Sequence, residues 1–350
     1  MRVTIFIADI RKAGGTERAT VNLANLLSSQ HEITIVSLSK RGDMFFEVRE
    51  NVTITFLNLP PMPKKLTSKP NWYVCFYKTV KKHLKEQKPD MAFGTGHNIS
   101  IVLSLLKKKD RKMIALEHID FTSIPTISRV CIKWAYKRLN AVVVLSTDAF
   151  EKIRSFNSNI EIIPNVLPFS TDVVSNLQRQ KLIMVGRISQ EKGYERIIPI
   201  AKRLATYNPD WEICIFGEGD KKVWLQQKLD NNAIKNVSIL PPVKNIKSEY
   251  LTSSVLLMTS YYEAMPMVIL EAHHCGLPVV GYDCQGVNLL IKNGENGFIV
   301  KDDNEFYTKL NLLIENLELR QDMGKKARLT SLYYNTENIK TKWNEFIKGL

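Results

Sequence analysis

The stretch that most restricts the fold is a strand-to-helix transition near residue 260. Val255-Leu256-Leu257-Met258-Thr259-Ser260 is a short apolar run of the kind that fills a buried strand. A loop follows, and Pro266 stands in the first turn of the next helix, where a missing N–H costs nothing. Residues 268–275 read as that helix, Gly276 stops it, and Val279-Val280 open another apolar run. Strand, loop, helix and strand repeated in this way build a parallel sheet with helices on its faces. Ligands of such sheets settle at the carboxyl rim of the strands. Glu263 is thus placed on a rim loop and Glu271 about one turn into the helix. The helix start at Met267 and Val268 offers free N–H groups and a positive dipole end, which suits a phosphate. Two glutamates with seven residues between them are also what a solvated helix face shows, so the surroundings have to decide.

The same pattern recurs along the chain. Val3-Thr4-Ile5-Phe6-Ile7 reads as a strand, Gly14-Gly15 as a turn, and a helix capped by Thr16 or Gly15 runs to about Ser29. G-x-G-x-x-G and the Walker lysine motif are both missing, so a dinucleotide reading is poorly supported. The strands around residues 91–95, 113–117, 141–146 and 160–163 follow, the second ending at His118. His118 then lies on the ligand rim, or is a satisfied structural histidine; His273 and His274 read as structural. Residues 170–180 are polar and read as a linker. In the second half, residues 181–185 form a strand that runs into Gly186-Arg187-Ile188-Ser189-Gln190-Glu191-Lys192-Gly193. Arg187 and Lys192 share one rim loop framed by two glycines. Two such cations can hold a diphosphate through charge-assisted hydrogen bonds, although solvated loop charges give the same pattern. Gly217 ends the strand at 212–216, and the strand at 237–240 leads into Pro241-Pro242-Val243. Helices are expected at 304–319, capped by Asn304, at 321–333, and at 336–347.

At 350 residues, 44% hydrophobic and 24% charged, the chain fits two ordinary soluble domains. The five cysteines form no C-x-x-C pair and read as reduced core residues of a cytosolic protein. No spacing of His, Cys and Asp suggests a metal site, and no cofactor is expected. No apolar run approaches the length of a membrane span, and Met1 to Ala8 is too short for a signal-peptide core. The net charge of +14 calls for an anionic partner. Lysines crowd the expected helix at 72–88, whose apolar face would be Trp72, Cys75, Phe76, Val80 and Leu84. More cations follow at 107–112 and at 129–139, around Cys131, Ile132, Trp134 and Tyr136. Basic helices with aromatics on the apolar face can lie on an anionic membrane, or simply pack a core with a solvated back. The aromatics fall at helical spacing and no RNA-binding motif is present, which disfavours nucleic acid.

Glu263, seven residues and Glu271, with Pro266 between, followed by Gly276-Leu277-Pro278 and Asn293-Gly294-Glu295-Asn296-Gly297, resembles the retaining GT-B glycosyltransferases of family four. The resemblance spans most of the chain and is strongest from about 181 to 300. Gly14-Gly15-Thr16-Glu17-Arg18 is similar to the family's N-terminal glycine loop, Pro164-Asn165-Val166-Leu167-Pro168 to its interdomain turn, and Arg187 with Lys192 to its cation pair. It implies an α/β fold of two Rossmann-like doubly wound domains facing across a cleft. Residues 1–168 would bind acceptor, 169–335 the nucleotide sugar, and 336–350 would form a helix crossing back to the first domain. It further implies transfer, with retained configuration, of a hexose or N-acetylhexosamine from a nucleotide diphosphate sugar, UDP ahead of GDP, to a glycan or lipid-linked glycan. His118, Arg187, Lys192 and Glu263 would be catalytic. Gly14, Gly15, Gly186, Gly217, Pro241, Val243, Met265, Pro266, Met267, Val268 and Glu271 would bind donor. Pro241 stands where the family often has glycine, which leaves the base open, and Ala264 is a milder departure of the same kind. No D-x-D motif is present, in keeping with a metal-independent enzyme at the inner face of the cell membrane. A sugar-nucleotide epimerase of similar fold, or a non-catalytic basic membrane-binding module, are the alternatives.

Overall fold

The computed structural model describes residues 1–63, 65–118, 124 and 126–350. The chain forms two compact units, Met1–Val166 with Thr336–Leu350, and Leu167–Asn335. Unit 1 holds strands β1 (Arg2–Ile7), β2 (Glu32–Ser37), β3 (Val52–Phe56), β4 (Met91–Thr95), β5 (Lys112–Leu116), β6 (Ala141–Val144) and β7 (Ile160–Ile162). They pair in parallel in the order β3-β2-β1-β4-β5-β6-β7. The helices between them are α1 (Gly15–Leu27), α2 (Lys69–Gln87), α3 (His97–Leu105), α4 (Thr126–Arg138) and α5 (Thr147–Ile153). β1 and its neighbours are apolar at successive positions because helices cover both faces of the sheet.

Unit 2 repeats the plan with strands β8 (Lys181–Val185), β9 (Glu212–Phe216), β10 (Val237–Leu240), β11 (Val255–Met258), β12 (Val279–Tyr282) and β13 (Gly297–Val300). Their order is β10-β9-β8-β11-β12-β13, again parallel throughout. Its helices are α6 (Ile197–Tyr207), α7 (Lys222–Asn231), α8 (Ile246–Leu251), α9 (Met267–His274), α10 (Gln285–Leu290), α11 (Asp303–Glu315) and α12 (Leu317–Leu332). The last helix, α13 (Thr336–Gly349), belongs to unit 1, where Ile339, Trp343, Phe346 and Ile347 join the core of Val3, Ile5, Leu23 and Leu116. In each sheet the strand order reverses beside the first strand, between β1 and β4 and between β8 and β11. These switch points open the crevices at which doubly wound sheets bind ligands.

Several local expectations change. β3 has no counterpart in the sequence reading; only its first residue, Val52, is fully buried, so its apolar signal is weak. Gly14, in extended backbone, is the residue before α1, not Thr16 or Gly15. Asp302, not Asn304, caps α11, because its carboxylate accepts from the N–H groups of Asn304 and Glu305. The break before α12 falls at Asn316, whose side chain accepts from the Leu319 N–H. Cys75 and Cys131 are exposed, so only Cys214 and Cys275 are core cysteines. In α2 the inward stripe is Phe76, Val80, His83 and Leu84, and Cys75 lies outside it. In α4 the inward stripe is Ile132, Ala135 and Tyr136, continued by Leu139 just past its end, which turns Cys131 and Trp134 out.

Candidate functional site

The rim of unit 2 is assembled by backbone packed against backbone. β8 ends at Gly186, whose φ of +152° suits glycine and whose carbonyl accepts from the Tyr194 hydroxyl at 3.2 Å. The rim turn after β9 presses on it: a Cβ on Gly217 would lie 2.0 Å from the Gly186 carbonyl oxygen, and one on Gly219 2.1 Å from that of Ile188. Gly193, with φ +59°, closes the loop after β8 so tightly that a Cβ there would meet the Thr259 carbonyl oxygen at 2.3 Å. The Thr259 hydroxyl donates to the Lys192 carbonyl at 2.8 Å, and the Tyr261 N–H to the Glu191 carbonyl at 2.9 Å. Arg196 donates to the Thr259 carbonyl at 3.3 Å and stacks on the rings of Tyr261 and Tyr282. The loops after β8 and β11 are thereby fixed side by side.

That packing brings Lys192 to Glu263. Lys192 Nζ lies 2.6 Å from Glu263 Oε1, and the Ser260 hydroxyl donates to the same oxygen at 2.7 Å. Their side chains are 27% and 10% exposed, so the pair is shielded from bulk water. Gly286 at the start of α10 holds Glu263 from behind: an added Cβ would stand 2.6 Å from the Glu263 Cβ. Arg187 points outward, 62% exposed, and pairs with Glu191 at 2.5 Å. Burial pushes the Glu191 carboxyl up, but hydrogen bonds from its own backbone and Ser189, together with Arg187, bring it below the usual carboxylate range.

α9 starts at the same rim. Pro266 precedes it in extended backbone, Met265 and Met267 are buried, and Val268 is half-buried. The Ile269 N–H donates to the Pro266 carbonyl at 3.1 Å, which leaves the N–H groups of Met267 and Val268 as the free donors expected at a helix start. Glu271, almost wholly buried, accepts a hydrogen bond from the Tyr250 hydroxyl of α8 at 3.0 Å. Pro241 is exposed just past β10 and Val243 half-buried, beside the Gly217 turn whose N–H donates to Leu240. His273 and His274 are buried, and burial pushes their imidazoles down to about 3 and about 4.

The other named residues belong to unit 1. Gly14 and Gly15 stand at the start of α1; a Cβ on Gly14 would meet the Glu17 carboxylate at 2.2 Å, whereas one on Gly15 would meet nothing, so at Gly15 neither crowding nor a positive φ demands glycine. His118 follows β5 and lines a cavity of about 20 Å³ with Ala19, Leu23, Asn165 and Trp343, room for about one water. Burial pushes its imidazole down to about 4, and its Nε2 has no hydrogen-bond partner among the described residues. Its neighbour Glu117 is a group that sequence reasoning missed. Burial pushes that carboxyl up to about 8, although the Tyr136 hydroxyl of α4 donates to it. The available signal was a carboxylate continuing the apolar run Ile114-Ala115-Leu116. Ser260, Tyr194 and Arg196, which set the unit 2 rim, gave no signal of their own. Among the described residues no group of three or more His, Cys, Asp and Glu could hold a metal ion, and no helix is long and apolar enough to cross a membrane.

Comparison with known proteins agrees with this architecture. Residues 13–168 match the model of Glycosyltransferase Family 4, and residues 169–330 match that of Glycosyl transferases group 1. The chain is a glycosyltransferase of the GT-B type. This glycosyltransferase is 27% identical to the amylovoran biosynthesis glycosyltransferase of Erwinia amylovora, over 99% of each chain. It is 25% identical, over 99% of its own length and 98% of the relative's, to a Campylobacter jejuni α-1,4-N-acetyl-D-galactosaminyltransferase named for a glycan on diNAcBac-PP-undecaprenol. Among solved structures, Anabaena HepE in complex with UDP and glucose shares the fold with a TM-score of 0.80 at 17% identity, over the whole of both chains.

Proposed function

We propose that the chain transfers a hexose or N-acetylhexosamine, with retention, from a UDP-sugar to a lipid-linked glycan during bacterial polysaccharide or glycoconjugate synthesis. The observation that carries this reading is the Lys192–Glu263 pair, 2.6 Å apart and shielded, on the rim that also holds Arg187 and the start of α9. In the reaction the bond from the sugar's anomeric carbon to the diphosphate breaks, and its electron pair leaves with the phosphate oxygen. Lys192 and Arg187 neutralise that growing charge, and the N–H groups at Met267 and Val268 add aimed donors, each worth about 3–4 kcal/mol of barrier in comparable sites. No metal ion is needed for that neutralisation in this scheme. The acceptor hydroxyl attacks on the face the leaving group vacates, and its proton passes to the departing phosphate.

Glu263 holds sugar hydroxyls once Lys192 turns to the diphosphate. Glu271, oriented by Tyr250, holds the ribose. Gly186 and Gly217 let the backbone approach the phosphates, with Met265 and Pro266 beside them, and Pro241 and Val243 flank the base. Gly14, Gly15 and His118 take the part at the donor sugar that the resemblance implies for them. Unit 1 serves the acceptor and docks on the anionic inner face of the membrane, and unit 2 serves the donor. HepE with bound UDP supports the choice of nucleotide, and the undecaprenol-linked substrate of the Campylobacter relative supports the choice of acceptor. Calorimetric titration with UDP and GDP, each with and without a chelator, tests the reading. UDP binding that survives chelation is expected; failure to bind either nucleotide would overturn it.

A further inference from the structure

The strongest concentration of lysine in unit 1 is on α2, where Val74, 52% exposed, is the one large apolar side chain that stands out beside the charge. α2 buries Phe76, Val80 and Leu84 and turns Lys78, Lys81, Lys82 and Lys85 to solvent, with Lys88 exposed just past its end. α4 is built differently. With Ile132, Ala135, Tyr136 and Leu139 inward, its outer face carries Val130, 67% exposed, and Trp134, 50% exposed. Four residues apart, they stand one turn apart on one side of the helix. Arg138 follows after another turn, lies over the Trp134 ring at 4.9 Å, and reaches with Nε to the Ser104 carbonyl at 3.5 Å. Through that link the apolar surface continues onto the end of α3, where Leu105 is 46% exposed. Lys107, Lys108, Lys109, Arg129, Lys133, Lys137 and Arg138 surround it, all exposed, and in these two segments Asp110 is the sole acid.

We infer that this α3–α4 face, and not the lysine face of α2, is where the chain seats on an anionic bilayer. This names the docking face within the membrane association proposed above and rests on it. Trp134, Val130 and Leu105 enter the boundary between headgroups and acyl chains, the depth at which an indole places its ring in apolar surroundings and its N–H in water. Arg138 already covers the indole face and extends its guanidinium outward to the lipid phosphates, as do the flanking lysines. The charge also argues against a second copy as the occupant, since a self-complementary contact would set these cations against themselves.

The test is sedimentation of the full chain with phosphatidylcholine vesicles containing either no phosphatidylglycerol or about a third of it, at low and at high salt. Binding is expected on the anionic vesicles, weakening with salt. Trp134→Ala combined with Val130→Ser is expected to lower the partition coefficient about tenfold, while Lys81→Gln with Lys82→Gln changes it less than about twofold; a cation seated at the surface contributes about fivefold. Quenching of Trp134 by brominated lipid, lost in Trp134→Phe, reads insertion directly. Unchanged binding by the Trp134 and Val130 variant, a larger loss from the α2 variant, or equal binding to neutral vesicles overturns the inference. So does a dimer in solution that the Trp134 and Val130 variant abolishes. UDP titration of the same samples separates the two proposals: intact UDP binding with no vesicle response defeats the docking face alone, and vesicle binding without UDP binding defeats the enzymatic reading.

Discussion

At the end of β5 in unit 1, a buried glutamate and a half-buried histidine have no ionic partner among the described residues, the carboxyl pushed up to about 8 and the imidazole down to about 4. At the ends of β8 and β11 in unit 2, a lysine and a glutamate face each other at 2.6 Å as an ion pair. Both rims come from parallel strands feeding helices, so the backbone plan does not choose between them. Two things do: how closely the neighbouring rim loops approach, and whether an opposite charge arrives with them. In unit 2 the glycines at 186, 193 and 217 let three rim loops close on one another and carry Lys192 to Glu263. In unit 1, α4 brings Tyr136 to Glu117, a hydroxyl that can donate but cannot neutralise. The same fold therefore supplies a charged edge in unit 2 and an uncharged edge in unit 1.

The largest expected effect probes the uncharged edge. Folding raises the Glu117 pKa from 4.5 to about 8, so the folded protein binds the extra proton between those values. The associated stability is fully present below 4.5 and is lost as pH rises through about 8. Glu117→Gln keeps an acceptor for Tyr136 and removes the ionisation. The stability of the variant relative to wild type should therefore grow from pH 5 to pH 8.5, by on the order of 4 kcal/mol. Thermal melts across that range check it; a constant difference would show that Glu117 is ionised in the folded chain and that the contrast between the rims is false.

The charged edge is tested next. Lys192→Ala removes a cation from the leaving diphosphate and leaves Glu263, 10% exposed, without its ion pair. A loss of about a hundredfold in kcat is expected, roughly 2.7 kcal/mol. If Lys192→Ala and Glu263→Gln each cost far more than tenfold but the double variant costs no more than either, the two act as one unit. Gly217→Ala follows, at about 2 kcal/mol of unit 2 stability, because its Cβ would stand 2.0 Å from the Gly186 carbonyl oxygen and force the two turns apart. An unchanged melting temperature would mean that these loops give way without cost.

Much of unit 2 was legible because its signals are local. The alternation of apolar runs with glycine-framed loops gave β8, β9, β11 and β12 and placed Arg187, Lys192, Glu263 and Glu271 at or beside one rim. What stayed hidden depends on contacts distant in sequence. That Lys192 meets Glu263 across 71 residues is set by Gly193 against Thr259, which no spacing announces. Glu117 passed as the end of a strand because its burial comes from α4, and Trp134 was grouped with Ile132 and Tyr136 on one apolar face, bound for core or membrane, because the helical phase is fixed only once Ile132 and Tyr136 have found the sheet. Helix caps failed for a related reason: several adjacent Asp and Asn side chains can cap, and backbone conformation selects Asp302 and Asn316.

The smallest effect is expected at Arg187. Its side chain is 62% exposed and its pair with Glu191 is a surface contact, which contributes little to folding, so Arg187→Ala should leave the melting temperature within about a degree. Its part in the proposed reaction is played at the diphosphate, where it stands farther into solvent than Lys192. About a tenfold fall in kcat is expected, roughly 1.4 kcal/mol, with Arg187→Lys recovering part of it because charge returns without the bidentate fork. Steady-state kinetics with a UDP-sugar donor checks both. A loss as deep as that of Lys192→Ala would mean that Arg187 swings in to become a full partner on the phosphates, and that its exposure describes the rim before the donor arrives. No loss would leave Lys192 and the start of α9 as the charge-neutralising groups of the reaction.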